Sequence, residues 1–197
     1  MSMSALWPEA LAVLAPLDGR LQAAARARLE SKQMTVTPVV HPQGHVVLVG
    51  HRSAGKTAMG PHLAAALGRP FVDLDEDLER RVGVPLAQFF ARDQAAFRAL
   101  ERELFSAPMV PSVISAGGGF LFHHGDLLVA PHLAVLVPIT AQTYRERNRD
   151  DRKRPRLMPS LGLEEELDVV YARRAQTYQA PPLTDVVDLL IWLGSRA

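Results

Sequence analysis

Cysteine is absent from this sequence. Its absence excludes disulfides, thiolate catalysis and cysteine-ligated zinc. It also suits a reducing cytosol, so the chain is expected in the cytoplasm. No run of 18 apolar residues occurs, which leaves nothing to span a membrane as a helix. The first nine residues hold no Lys or Arg, and the apolar run Leu11–Ala15 stops at Pro16, a poor match to a secretory leader. Neither sign of charge is in excess: 22 Lys and Arg against 21 Asp and Glu leave a formal net charge of +1. No global field therefore draws the chain to nucleic acid or to a membrane surface. Internal repeats and low-complexity tracts are missing too. What remains is an ordinary globular composition over 197 residues, enough for one domain with a core of its own.

Residues 1–40 read as an N-terminal helical extension and 41–197 as the main domain. In the extension Pro8 can open a short helix, Leu17-Asp18-Gly19 can turn, and Arg20–Lys32 places Leu21, Ala24, Ala25 and Leu29 on one helical face. Residues 35–44, with Pro38, Pro42 and Gly44, are turn-like or extended. From His45 onward strands and helices alternate. Strands are expected at 45–49, 71–74, 113–116, 133–137 and 186–191. Helices are expected at 55–67, 76–82, 86–105 with a break near Asp93, after Thr140, and at 164–178. Alternation of this kind implies a parallel α/β sheet with right-handed crossovers. Its ligands lie beyond the carboxyl ends of the strands.

The strongest motif is Gly50-His-Arg-Ser-Ala-Gly-Lys-Thr57, a G-x-x-x-x-G-K-[ST] loop between a strand and a helix. Backbone N–H groups in such a loop close around phosphate oxygens, and the helix N-terminus adds partial positive charge. Lys56 reaches the outer phosphates and Thr57 offers a hydroxyl to Mg²⁺. Gly50, Ser53, Ala54, Gly55, Lys56, Thr57 and Ala58 are the expected ATP contacts. Pro61 falls inside the helix that follows, and a kink is expected there.

Further motifs follow in order: Phe71-Val-Asp73-Leu-Asp75, a strand ending in D-x-D; Phe97-Arg98-Ala-Leu-Glu101; Gly117-Gly118-Gly119 after the strand Val113–Ala116; Arg152-Lys-Arg154-Pro155-Arg156-Leu157; and Arg174-Ala-Gln-Thr-Tyr178. With the phosphate loop, this ordered set resembles the shikimate kinases, members of the nucleoside-monophosphate-kinase-like P-loop group, over residues 45–192. The resemblance implies a three-layer fold with a five-stranded parallel sheet in the order 2-3-1-4-5, helices on both faces and a mobile lid at about 148–162. It implies ATP and Mg²⁺, with shikimate as the acceptor, and a cytoplasmic monomer in the route to aromatic amino acids. By the same likeness Thr57 and Asp73 serve the metal, Asp75 holds the acceptor hydroxyls, Gly117, Gly118 and Gly119 face the acceptor, Arg98 and Arg174 bind its carboxylate, and Arg154 contacts the nucleotide. Lys56, Asp75 and Arg154 are the expected catalytic residues.

Several alternatives stay open at this level. Arg173 competes with Arg174, and Arg152 or Arg156 with Arg154. Alone, Arg98 and Glu101 at i, i+3 would read as a surface ion pair. The basic run from Arg145 to Arg156 could be a solvated helix end. Aromatics are not interleaved in it beyond Tyr144, which speaks against nucleic acid. Ser53 replaces a glycine common in the family's loop. His51 reads as filling a variable position of that loop, and His123-His124 as loop. Rival functions are another small-molecule P-loop kinase, such as a gluconate or nucleoside monophosphate kinase, and a regulatory sensor domain whose N-terminal segment meets an unknown protein partner. Every catalytic signal lies after residue 45, so a chain starting at Met34 is expected to keep most of its turnover.

Overall fold

All four residues of β1, Val46–Val49, are buried. A strand covered on both faces has no polar side to show, which is why it reads as an unbroken apolar run. It is the centre of a parallel sheet ordered β2-β3-β1-β4-β5, with β2 at Phe71–Asp73, β3 at Val113–Ser115, β4 at Leu133–Leu136 and β5 at Thr184–Asp185. Val47 is in register with Ile114 on one side and Ala134 on the other. This is the strand order that the resemblance implies. The computed structural model describes residues 7–35, 43–107, 109–151, 156–179 and 183–196.

Alternation along β1 divides the core in two. Val46 and Leu48 join a cluster with Met59 and Leu63 of α3 (Lys56–Leu67), Tyr144 of α8 (Ala141–Asn148), Leu167 of α9 (Leu163–Thr177) and Leu189 of α10 (Val186–Gly194). Val47 and Val49 join another with Phe105 of α6 (Gln94–Ser106) and Phe120 of α7 (Phe120–His124). A third cluster, Leu78 of α4 (Leu74–Val82), Phe89 and Phe90 of α5 (Leu86–Arg92) and Phe97 of α6, builds a lobe beside the sheet. The break expected near Asp93 separates α5 from α6, and the Asp93 side chain accepts the Ala96 N–H at 2.8 Å as the cap of α6. Pro61 sits within α3 without ending it.

The C-terminal segment differs from the sequence reading. Residues 186–191 are not a strand; β5 is two residues long and α10 follows at once. The run Val-Val-Asp-Leu-Leu-Ile is nearly all apolar, so periodicity could not separate a strand from a buried helix. Asp185 decides the matter locally: its carboxylate accepts the Val187 N–H at 2.7 Å and caps the helix.

The N-terminal helices form as expected, as α1 (Pro8–Leu14) and α2 (Gly19–Ser31), but their packing was not anticipated. Ala10, Val13, Leu14, Leu17, Ala25 and Leu29 are buried in the same cluster as β1 and α3. Gln22 closes the turn by donating to the Ala15 and Leu17 carbonyls. Arg28 pairs with Asp185 at 2.8 Å and with the fully buried Asp188 at 3.1 Å. Thr35 adds its backbone N–H to Asp188, at 3.3 Å.

At the amino ends of the strands, two histidine rings stack with centroids 5.0 Å apart. The His132 Nδ1 accepts the His45 N–H at 3.0 Å, and the His45 Nδ1 accepts the Ser112 N–H at 3.1 Å. Both acceptors must be unprotonated. Burial lowers both pKa values below 6.5, and for His45 the charges of His132 and Arg69 add to it. A folded-state pKa below the unfolded one means that the neutral rings contribute fully above about pH 6.5, and that this contribution is lost as pH falls below it. The thermal midpoint is therefore expected to drop as the buffer is taken from about pH 7.5 to about pH 5. A midpoint that stays level or rises over that range in dichroism melts would contradict the assignment.

Candidate functional site

The phosphate loop leaves β1 through Gly50, whose φ of 140° is open only to glycine. A Cβ there would also lie 2.5 Å from the Val137 carbonyl oxygen. The loop ends at Gly55, the N-cap of α3, and the Lys56 side chain folds back inside it. Lys56 is buried, and its Nζ donates to the carbonyls of Gly50 at 2.9 Å and His51 at 2.7 Å. Thr57 donates its hydroxyl to Asp73 Oδ2 at 2.6 Å and lies 3.4 Å from the Ser115 hydroxyl. The other oxygen of Asp73 caps α4 by accepting the N–H groups of Asp75 and Glu76. One carboxylate thus fixes the helix that carries Asp75 and serves the loop. Ser115 was missed in the sequence; its only signal is a polar residue ending an apolar strand.

Ser53, Lys56, Thr57, Asp75, Ser115, Gly117 and Gly118 line a cleft of about 220 Å³ at the carboxyl ends of the strands, and Gly55, Ala58 and Ala116 complete its wall. Neighbouring side-chain and backbone atoms crowd onto the three glycines. A Cβ on Gly117 would lie 2.9 Å from an Asp75 carboxylate oxygen, and one on Gly118 would lie 2.7 Å from the Arg52 backbone nitrogen. The position of a Cβ on Gly119 is 3.3 Å from Nη2 of Arg174 and 3.3 Å from Nη2 of Arg98. Two guanidinium groups therefore converge beside the third glycine. Arg174, on α9, is the one that reaches it; Arg173 is exposed.

Arg98 is not half of a surface pair. It donates to Glu101 at 2.5 Å, and their side chains are 20% and 2% exposed. Its guanidinium also lies over the rings of Phe97 and Phe90, 5.0 and 5.4 Å from their centroids. Burial raises the pKa of Glu101 and Arg98 opposes the shift. The buried His124 brings Nε2 to 3.2 Å from the same carboxylate, a neighbour that the reading of His123-His124 as loop did not foresee. Burial, then the nearby Arg98, His124 and Arg174 charges, hold His123 at a pKa of about 4. Arg174 has its own pKa lowered, first by burial, with Arg52 and Arg98 adding to the effect and Tyr178 and Tyr144 opposing it. Like charges gathered in this way favour an anion between them.

His51 turns out of the cleft. Its ring stacks on Tyr171 at 4.3 Å and meets Tyr144 and Tyr178 edge-on at 5.3 and 4.9 Å. Burial, helped by the Arg174 and Lys56 charges, lowers its pKa to about 3. Tyr178 in turn donates its hydroxyl to the Gly118 carbonyl at 3.3 Å. These aromatic contacts join the phosphate loop to α9, and no local sequence signal announces them.

Arg154, with Arg152, lies outside the described residues. Arg156 is described, and it is tied to α9: it pairs with the buried Glu166 and donates to the Leu161 carbonyl at 2.8 Å. Burial alone would raise the Glu166 pKa, but Arg156 and the N–H groups of Leu157 and Met158 hold it below the usual range. The basic run is partnered elsewhere as well. Arg145 meets Asp168 at 2.7 Å and Arg149 meets Glu164 at 3.0 Å, both across to α9.

A family model described as "Shikimate kinase" matches residues 52–187. The shikimate kinase of Chlorobium luteolum is 33% identical over 156 residues, covering 73% of this chain and 77% of that protein. That of Paracidovorax citrulli is 36% identical over 123 residues, covering 59% and 67%. Among solved structures, a shikimate kinase from Acinetobacter baumannii in complex with shikimate superposes with a TM-score of 0.63 at 25% identity, covering 85% of this chain and 92% of that one.

Proposed function

The chain belongs to the shikimate kinase family, and from that premise we propose that it transfers the γ-phosphoryl group of ATP to a hydroxyl of shikimate. The observation that carries this reading is a phosphate loop that shares one cleft with Asp75, Gly117 and Gly118, while the guanidinium groups of Arg98 and Arg174 converge beside the next residue, Gly119. An acceptor with a carboxylate at one end and hydroxyls at the other matches that polarity. Absence of cysteine supports a reducing cytoplasm as its place of work.

Phosphoryl transfer asks mainly for positioning and for neutralised charge. The N–H groups of residues 53–58 cradle the triphosphate. Lys56 neutralises charge that grows on the transferring group. Thr57, Asp73 and Ser115 offer hard oxygens beside the loop, a donor set that fits Mg²⁺. That ion would supply charge neutralisation between the outer phosphates. Arg98 and Arg174 hold the acceptor carboxylate through planar, forked donors. Glu101 fixes Arg98, and His124 backs Glu101. Asp75 orients the attacking hydroxyl and accepts its proton as the oxygen bonds to phosphorus and ADP leaves. Arg154 keeps the lid role that the resemblance implies.

A coupled ADP-release assay with shikimate, gluconate and a nucleoside monophosphate tests the reading. Turnover of shikimate alone supports it, and turnover of either rival acceptor with shikimate inert overturns it. Within that assay, Arg98→Ala is expected to lower kcat/KM for shikimate by about ten- to a hundredfold, with little change in KM for ATP. Removing Arg98 strips Glu101 of its cation, so a fall in thermal midpoint should accompany the loss. Arg98→Lys should rescue little, because a point charge cannot copy the fork. Asp75→Asn should lower kcat more than it weakens binding. If Arg98→Ala raises KM for ATP and leaves acceptor use unchanged, the acceptor end has been misassigned.

A further inference from the structure

Ser53 is a residue with a Cβ in a left-handed backbone conformation, φ 59°. That region is disfavoured for every residue but glycine and, to a lesser degree, asparagine and aspartate. Something must hold it, and two neighbours at the end of α8 do. The Ser53 hydroxyl donates to Asn148 Oδ1 at 3.0 Å, and Arg147 Nη1 donates to the Ser53 carbonyl at 2.9 Å. Asn148 is itself fixed: it is buried, and its Nδ2 donates to the Tyr144 carbonyl at 2.6 Å, which turns Oδ1 toward the loop. Arg147 extends its other nitrogen to the Pro16 carbonyl at 3.3 Å. Both partners of Ser53 come from α8, and Asn148 has no part of its own in the chemistry.

We propose that Asn148, with Arg147 beside it, is a positioning residue that holds Ser53 in the left-handed conformation the phosphate loop requires. If Ser53 relaxed to a right-handed backbone, the peptide planes on either side would rotate, the Ala54 N–H would lose the His51 carbonyl to which it donates at 3.3 Å, and the loop that offers its N–H groups to phosphate would change shape. The loop here does with a serine and an asparagine what a glycine does without help. The inference rests on the kinase reading only in taking phosphate as the loop's ligand.

Calorimetric titration with ADP and Mg²⁺ tests it in a cycle of Asn148→Ala, Ser53→Gly and the pair together. Asn148→Ala is expected to weaken ADP affinity about tenfold, the loss of one hydrogen bond and of the geometry it holds. In the Ser53→Gly background the same replacement should cost less than about twofold, because glycine needs no holding. A merely structural role for Asn148 would give equal losses in both backgrounds. Equal losses, or no loss in either, overturn the proposal. Ser53→Ala keeps the Cβ and drops the hydroxyl; it should match Asn148→Ala, and it stands in if that variant does not fold. Unchanged affinity in Ser53→Ala overturns the proposal as well. KM for the acceptor should move less than about twofold in Asn148→Ala, since the acceptor arginines sit on other helices. A wild type that binds no ADP with Mg²⁺ is a separate outcome, seen before any substitution is made; it sinks the kinase reading and the inference with it.

Discussion

Lys56→Met is expected to cut kcat by at least about 10²–10³-fold, the usual effect of removing one preorganised donor from a developing charge. The methionine stem fills nearly the same buried space, so the loop keeps its packing. What is lost is an ammonium that donates to the Gly50 and His51 carbonyls. Leaving those carbonyls without it costs about 1–3 kcal/mol, and at about 2–4 °C per kcal/mol for a chain of this size the melt should shift without unfolding the protein. Steady-state turnover and a dichroism melt on one preparation check both halves. A folded Lys56→Met variant with near-normal turnover would remove the reason for reading this loop as the phosphate site.

Starting the chain at Met34 is expected to abolish activity by way of stability, against the expectation drawn from motif positions alone. Val13, Leu14, Leu17 and Leu29 are buried in the main cluster. At about 1.5–3 kcal/mol for each large apolar side chain removed from water, their loss is on the order of 10 kcal/mol. That rivals the whole stability of a typical domain, about 5–15 kcal/mol. It also takes Arg28 away from Asp188, whose side chain is fully buried, and a buried charge that loses its partner costs several kcal/mol more. Pro16 rests against the phosphate loop: a Cβ on Gly55 would lie 2.9 Å from the Cβ of Pro16. The shortened chain should come out insoluble or molten, with no cooperative melt. A soluble truncated form with a sharp transition and wild-type turnover would show that α1 and α2 are an appendage after all.

What could be read from the sequence was what depends on neighbours along the chain. The phosphate loop is eight consecutive residues with a strand before and a helix behind, so both its identity and its context are local. Asp93, Gly68 and Gly83 mark helix ends for the same reason. The sheet order came from the resemblance and not from periodicity. What stayed hidden depends on distant partners. Arg98 and Glu101 could be paired from their spacing, but nothing in it says that both enter a wall of Phe90, Phe97 and His124. The serine at position 53 looked like a blemish in the motif until Asn148, 95 residues away, was found against it. Residues 186–191 were misread because an apolar run carries no phase.

The clasp between the first helices and the last one has a consequence for biosynthesis. A ribosome releases α1 and α2 some 150 residues before it makes Asp185 and Asp188, the partners of Arg28. Trp7 waits still longer: its ring lies so close to Gly194 that a Cβ there would come within 2.2 Å of it. In the meantime β1 to β4 can pair and recruit α3 as they emerge, since domains assemble from the N-terminal side as the chain lengthens. The second helix is therefore made early and locked last. The first helix can dock on α3 as soon as that helix emerges, but through most of translation α2 waits for partners on α10 that are still unmade, and a pause late in the message would prolong its exposure.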